Sequence, residues 1–410
     1  MKLKIFTVIF CCLLTAMSIN AQNKANQPDV SLKFGKGLKV TAADSSAYMK
    51  ANVRFQSLYT SERSLADGSD WESKFMVRRA RMKFSGWALS PKLGYKMEFA
   101  LSNRDLNTSK DFDETSEAPK IVLDAVLKWK AHKNWTIWMG QTKLPGNRER
   151  VVSSQTLQMV DRSLVNSIFN LERDMGLQLR GKYKLGSGVI KPTVSWSFGE
   201  GRNVTDANIG GFQYIGHLEW LPFGEFAGKG DYVGADLKRE KTPKLALATS
   251  YSLNQGAARQ KQSGRFLSDA DGNYLTNDLQ TIFVDMMFKY QGFSLMGEYA
   301  HKIVANEAIK NDSDLRLNLV DANGRSYLTG SGINIQTGYL FKNNVELSAR
   351  YTNVMPDTDV SFDGAQEYTL GVSKYIVGHA LKIQGDVALT DEAGATDNNL
   401  RYRLQVEFQF

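Results

Sequence analysis

The chain has 410 residues, 42% hydrophobic and 23% charged, and its 51 Lys and Arg outnumber 43 Asp and Glu for a net charge of +8. This composition excludes a disordered polyelectrolyte and fits two or three ordinary domains or one large barrel. Beyond residue 21 no apolar run approaches the ~20 residues of a spanning helix, which excludes a multi-helix membrane protein but not a β-barrel, whose lipid face hides in alternation.

Lys2 and Lys4 precede an apolar core, 5–17, and Ser18-Ile19-Asn20-Ala21 ends on a small residue before Gln22. The pattern resembles a secretory signal peptide cut after Ala21. The alternative is an uncleaved N-terminal anchor, for which the core is short. Cys11 and Cys12 both lie inside this core. The exported chain therefore has no disulfide, no thiolate nucleophile and no Cys metal site. A short N-terminal segment, 22–45, follows, and a barrel domain takes 46–410.

From residue 46 hydrophobicity alternates with period two, the mark of strands with one apolar face. The spacing predicts about sixteen strands: 46–60, 74–89, 92–103, 119–130, 134–143, 173–185, 189–199, 212–221, 244–254, 278–290, 292–302, 330–341, 344–353, 366–376, 379–389 and 399–410. Most reach the ~9–11 residues that a bilayer-spanning strand needs. In the last, Leu400, Tyr402, Leu404, Val406, Phe408 and Phe410 share one parity, and Arg401, Arg403, Gln405, Glu407 and Gln409 the other.

Short turns at 90–91, 131–133, 186–188, 291, 342–343 and 377–378 alternate with long polar loops at 61–73, 104–118, 144–172, 200–211, 255–277, 303–329 and 354–365. That is the arrangement of an outer-membrane barrel with both termini in the periplasm. The Gly- and Lys-rich stretch 222–243 is long on the short-turn side, and the sequence supplies no reason for it. The final residue, Phe410, looks like the terminal aromatic read by the barrel-assembly machinery.

Trp129, Trp196, Trp220, Tyr251 and Tyr339 lie on the apolar parity, as girdles against membrane lipid require. The other parity faces a water-filled lumen at this strand number. Its cations are Lys50, Arg54, Arg79, Arg81, Lys83, Lys96, Lys128, Lys130, Arg180, Lys182, Lys184, Lys191, Arg350, Lys382, Arg401 and Arg403. Its acids are fewer: Glu98, Asp124, Glu219, Glu298, Glu346, Asp386 and Glu407. Rows of Lys and Arg around a lumen favour anions; the alternative is that they pair with the acids and solvate the wall. In the densest cluster, Val77-Arg78-Arg79-Ala80-Arg81, Arg79 and Arg81 project into the lumen and Arg78 away from it. Asp70 and Glu72 are close enough in sequence to neutralise part of the cluster.

The longest connection, 144–172, surrounds an apolar helical stretch, 151–169, with Arg148, Glu149, Arg150, Asp161, Arg162, Glu172 and Arg173. Such an apolar loop is expected to shelter in the lumen and set its aperture. The alternative is a surface helix against a neighbouring subunit. No Gly-x-Ser-x-Gly elbow, P-loop or His-Glu-x-x-His motif occurs, and His132, His217, His301 and His379 are scattered. No enzyme, cofactor or metal site is expected. The export signal and dispersed charge disfavour nucleic acid as a partner.

Four segments carry a family resemblance: Val77-Arg78-Arg79-Ala80-Arg81 leading into 82–100, Met139-Gly140-Gln141-Thr142-Lys143, Asp161-Arg162-Ser163-Leu164-Val165 and Arg173-Asp174-Met175-Gly176-Leu177. In order and spacing the chain resembles the phosphate-selective porin O and P family, in its Bacteroidetes-type form, over about 46–410. The resemblance implies a sixteen-stranded outer-membrane porin, usually a homotrimer, with an inward loop. It also implies a ladder of basic residues leading small anions such as phosphate to an arginine constriction. By resemblance Arg79, Arg81 and Arg162 form that constriction. Arg54, Lys83, Lys128, Arg180, Lys182, Arg350, Arg401 and Arg403 complete the expected anion pathway. The expectation is an all-β transmembrane antiparallel β-barrel in the bacterial outer membrane that passes anions by diffusion. A non-conducting structural or adhesive barrel is the alternative, and a barrel enzyme with a Ser, His and acid rim the third.

Overall fold

The computed structural model describes residues 27–102, 121–204, 208–305, 320–358 and 360–410. The signal-like segment 1–21 and the expected loop 104–118 lie outside the described residues.

A hairpin, β1 (Asp29–Lys33) and β2 (Gly37–Thr41), precedes the wall strands. These are β3 (Ala47–Ser64), β4 (Glu72–Ala88), β5 (Ser90–Ala100), β6 (Val122–Trp129), β7 (Trp135–Lys143), β8 (Arg173–Gly181), β9 (Tyr183–Leu185), β10 (Gly188–Ser197), β11 (Gln213–Leu221) and β12 (Lys244–Ala257). Then come β13 (Asn277–Tyr290), β14 (Phe293–Val304), β15 (Gly330–Leu340), β16 (Val345–Pro356), β17 (Ala365–Val377), β18 (Leu381–Glu392) and β19 (Asn399–Gln409). β8 and β9 both pair with β10, as one strand broken at Lys182, so the wall has 16 strands. Neighbours are antiparallel, and β19 returns to β3 from Asn399↔Ser64 to Gln409↔Arg54, which closes the barrel. Each strand expected from the sequence is present. β2 pairs with β3 from Leu38↔Ala51 to Thr41↔Tyr48, so the hairpin continues the wall beyond the end of β19.

Alternation puts apolar side chains outside and polar ones inside, the reverse of a water-soluble protein. In β19, Leu404 is 50% exposed and its neighbour Gln405 1%. Trp129, Trp196, Trp220, Tyr251 and Tyr339 are likewise exposed on the outer face. Lipid accepts these faces, and closure gives the ladder groups partners where no water could serve.

Among the described residues, the long connections 144–172 and 222–243 fold deep into the lumen. The loop 144–172 carries two short helices, α1 (Arg148–Val151) and α2 (Leu164–Phe169). The continuous helical stretch expected over 151–169 is thus confined to 164–169. The wall competes for the backbone between them. Lys382 Nζ donates to the Leu157 carbonyl (3.1 Å), Gln384 Nε2 to that of Gln158 (2.9 Å), and Val160 N–H to Asp386 Oδ2 (3.1 Å). α2 begins at Ser163, whose Oγ accepts from Asn166 N–H (3.1 Å). Val165 and Phe169 bury with Leu144 and Leu171 against Ile215, Phe283, Ala300 and Val354 of the wall. Each such side chain contributes roughly 1.5–3 kcal/mol. Gly332 admits α2, since a Cβ there would stand 2.7 Å from Val165 Cγ2.

The second inward connection is 222–243, which rises from the short-turn side with a 3-10 turn at Ala227–Tyr232. Gly234 N–H donates to the Thr156 carbonyl of the loop (2.8 Å). Lys289 Nζ donates to the carbonyls of Val233 (2.8 Å) and Ala235 (2.9 Å). Ala235 and Leu237 pack on Leu340 and Tyr375. Buried Arg148 ties both connections to the wall. It pairs with Asp285 (2.6 Å) and Glu219 (2.9 Å), donates to the Asp231 carbonyl (2.9 Å) and lies 5.0 Å over the Tyr232 ring. The length of 222–243 is thus explained: it braces the inward loop from below.

Candidate functional site

The inward connections leave space beside β4–β8, where a cavity of about 360 Å³ lies. Among the described residues, twelve basic ones line it: Arg78, Arg79, Arg81, Lys83, Lys96, Lys128, Lys143, Arg150, Arg162, Arg173, Arg180 and Arg202. Three acids join them, Glu98, Asp124 and Glu172.

Strand parity aims most of these inward. Arg79, Arg81 and Lys83 alternate along β4 and face Gln56, Arg54 and Asn52 of β3. Arg78 is the exception to the expected parity. A β-bulge sets Val77 opposite Ser57 and Arg79 opposite Gln56, which leaves Arg78 unpaired between them. The extra residue turns Arg78 into the lumen, where it pairs with Asp161 of the loop at 2.5 Å. Arg79 meets the same carboxylate at 3.0 Å. The expected neutralising acid near the cluster is therefore replaced by Asp161, and Glu72 instead pairs with Lys74 (3.4 Å). Burial pushes the Asp161 carboxyl up, but Arg79 and Arg78 outweigh it and hold the group well below the usual carboxylate range.

Acids around the cavity are shared. Asp124 takes Lys96 (2.8 Å) and Arg173 (3.3 Å), and Thr142 Oγ1 donates to it (2.9 Å). Glu172 pairs with Arg150, Arg173 (3.4 Å) and Arg202 (3.8 Å). Other cations rest on neutral groups. Lys143 Nζ donates to the carbonyls of Arg150 (2.9 Å), Val151 (2.9 Å) and Val152 (3.2 Å). Arg162 donates to the carbonyls of Glu149 (2.9 Å) and Val152 (2.7 Å). Among the described residues, Lys83, Lys128 and Arg180 have no carboxylate within ion-pair distance. Among the described residues the lining thus carries more basic than acidic side chains.

Of the residues expected on the pathway, Arg79, Arg81, Lys83, Lys128, Arg162 and Arg180 meet at this cavity. Arg54 stands next to it, paired with Glu407 (3.3 Å) and donating to Ser154 Oγ (2.8 Å). Lys182 lies at the break between β8 and β9 and pairs with Glu225 (2.8 Å). Arg350, Arg401 and Arg403 are gathered elsewhere on the wall. Arg350 pairs with Glu367 (2.9 Å) and donates to the Asp161 carbonyl (2.8 Å). Arg401 shares Glu367 (2.6 Å), and Arg403 grips Asp386 through two bonds (2.7 and 3.0 Å). Sequence reasoning missed Trp138, Lys143 and Arg202. Parity could have found Trp138, which sits between outward Ile137 and Met139.

A family model for the phosphate-selective porin O and P matches residues 49–410. The chain is similar to an uncharacterized protein of Aquifex aeolicus (strain VF5), 22% identical over 390 residues, 88% of this chain and 87% of that one. Among solved structures it is similar to an anion-selective porin from Comamonas acidovorans, with 10% identity and a TM-score of 0.54 over 89% of this chain and 100% of that one. It is also similar to the outer membrane channel DcaP of Acinetobacter baumannii, with 14% identity and a TM-score of 0.52 over 89% and 98% of the two chains. These structural likenesses extend to the fold.

Proposed function

The chain belongs to the phosphate-selective porin O and P family, and on that footing we propose that it passes small anions, phosphate among them, by diffusion along the basic cavity. The observation that carries this reading is the lining itself, among the described residues twelve cations against three acids. One charge pair about 4 Å apart is worth only ~1 kcal/mol in water, so preference must come from several cations together. The same weakness lets an ion leave again. Guanidinium forks match the oxygens of phosphate and carboxylate.

Arg79, Arg81 and Arg162 then form the narrowest part, and Lys83, Lys128 and Arg180 line the way toward the short turns. Lys182 stands at that mouth. Arg54 and Arg350 hold the inward loop directly, Arg403 fixes the Asp386 that accepts from the loop at Val160, and Arg401 shares Glu367 with Arg350, so that the passage keeps its width. We further propose export by the cleavable segment 1–21, insertion into lipid by the barrel-assembly machinery and assembly as a homotrimer, all supported by the family resemblance. The test is solute entry into proteoliposomes carrying the purified barrel. Phosphate and small carboxylates should enter faster than cations of similar size. Equal or faster entry of the cations would refute the reading, as would a barrel that admits neither.

A further inference from the structure

Among the described residues, one aromatic ring stands with the cations of the cavity. Trp138 projects from β7 into the lumen, three residues beyond the start of the strand at Trp135. Lys128 of β6 is directly opposite it in register, and its Nζ lies 3.8 Å from the ring centroid. Arg180 approaches from β8 on the other flank, where Gln178 is the residue opposite Trp138. Its guanidinium carbon lies 4.2 Å from the same ring. Arg180 also donates through Nε (2.9 Å) and Nη2 (2.6 Å) to Gln178 Oε1, another uncharged group. Elsewhere in the cavity Lys96 and Arg173 are fixed by the carboxylate of Asp124, and Lys143 and Arg162 by backbone carbonyls of the loop.

The carboxylate and the ring differ as supports in one respect. A carboxylate fixes a cation and cancels its charge. The face of an indole attracts a cation through its quadrupole and carries no net charge. We propose that Trp138 is a positioning residue for selectivity: it holds the Lys128 ammonium and the Arg180 guanidinium in the passage while leaving their charge available to a passing anion. The Lys128 stem has four rotatable carbons and, among the described residues, no hydrogen-bond partner, so without the ring it has nothing to fix it. This inference rests on the anion-channel reading above.

The test uses the full barrel in planar bilayers, with the chloride-to-potassium permeability ratio taken from the reversal potential across a KCl gradient. Trp138→Leu should lower the ratio by about two- to fivefold, the span of an exposed cation–π contact. Trp138→Phe should restore most of it, because it keeps a ring face. Lys128→Met should also lower the ratio with the ring intact, which supplies a second route if Trp138→Leu does not fold. In a Lys128→Met, Arg180→Met background, Trp138→Leu should add nothing. An anion-selective wild-type barrel whose ratio is unmoved by Trp138→Leu overturns the inference alone. So does Trp138→Phe behaving as Trp138→Leu, a Lys128→Met barrel with the wild-type ratio, or a further fall in the double-variant background. A wild-type barrel that prefers potassium overturns the channel reading and this inference with it.

Discussion

Asp161 concentrates the electrostatics of the site in one carboxylate, because both Arg78 and Arg79 close on it from β4. Its carboxyl is held well below the usual range, so its contribution is fully present above the unfolded value of ~3.9 and is lost only as pH falls through the lower folded value. Loop docking through this contact should not change between about pH 8 and 5, and single-channel conductance measured across that range checks it. On the proposed reading Arg81 and Lys83 act on the passing ion. Neutralising either, as Arg81→Gln or Lys83→Gln, removes ~1 kcal/mol at about 4 Å in water, roughly a fivefold loss of anion occupancy. Block of chloride current by phosphate should weaken by the same factor. Most of these residues were legible from parity, and Arg78 was not. A bulge inverts the parity along the strand, so odd-numbered Phe75 and Val77 face outward on one side of it and odd-numbered Arg79 and Arg81 inward on the other. Its physical reason is visible in hindsight: arginine on the lipid face costs up to ~2–4 kcal/mol at mid-membrane, and the bulge avoids that cost.

The inward loop and the 222–243 connection behave as one element joined at Arg148. Arg148 is buried between Asp285 and Glu219, and removing one partner of a buried pair costs about 3–5 kcal/mol. Arg148→Met should therefore lower the temperature at which the barrel loses its compact migration in detergent gels, and should add noise to the open-channel current. A stable barrel with quiet current would show that the clamp is dispensable. That the loop turns inward was readable from its apolar content. Its broken helix was not, because the groups that compete for its backbone, Lys382, Gln384 and Asp386, are more than 200 positions away. The bracing role of 222–243 was hidden for the same reason, since Thr156 and Lys289 meet it only in the closed barrel.

At the scale of the molecule, period-two alternation specifies both faces at once, lipid outside and charge inside, and all sixteen strands could be read from it. What alternation does not carry is how the interior divides. β10–β19 mainly brace the inward elements, and β4–β8 keep their cations facing space. On the proposed reading the barrel is an eccentric passage rather than a central bore, with its selectivity set along one wall. The zero-current potential of the purified barrel in a planar bilayer under a KCl gradient decides whether that wall governs the ions. A potential of the sign for chloride preference, drawn toward zero by Arg81→Gln and Lys83→Gln together, is expected. A potential favouring potassium, or a chloride preference untouched by those substitutions, would contradict it.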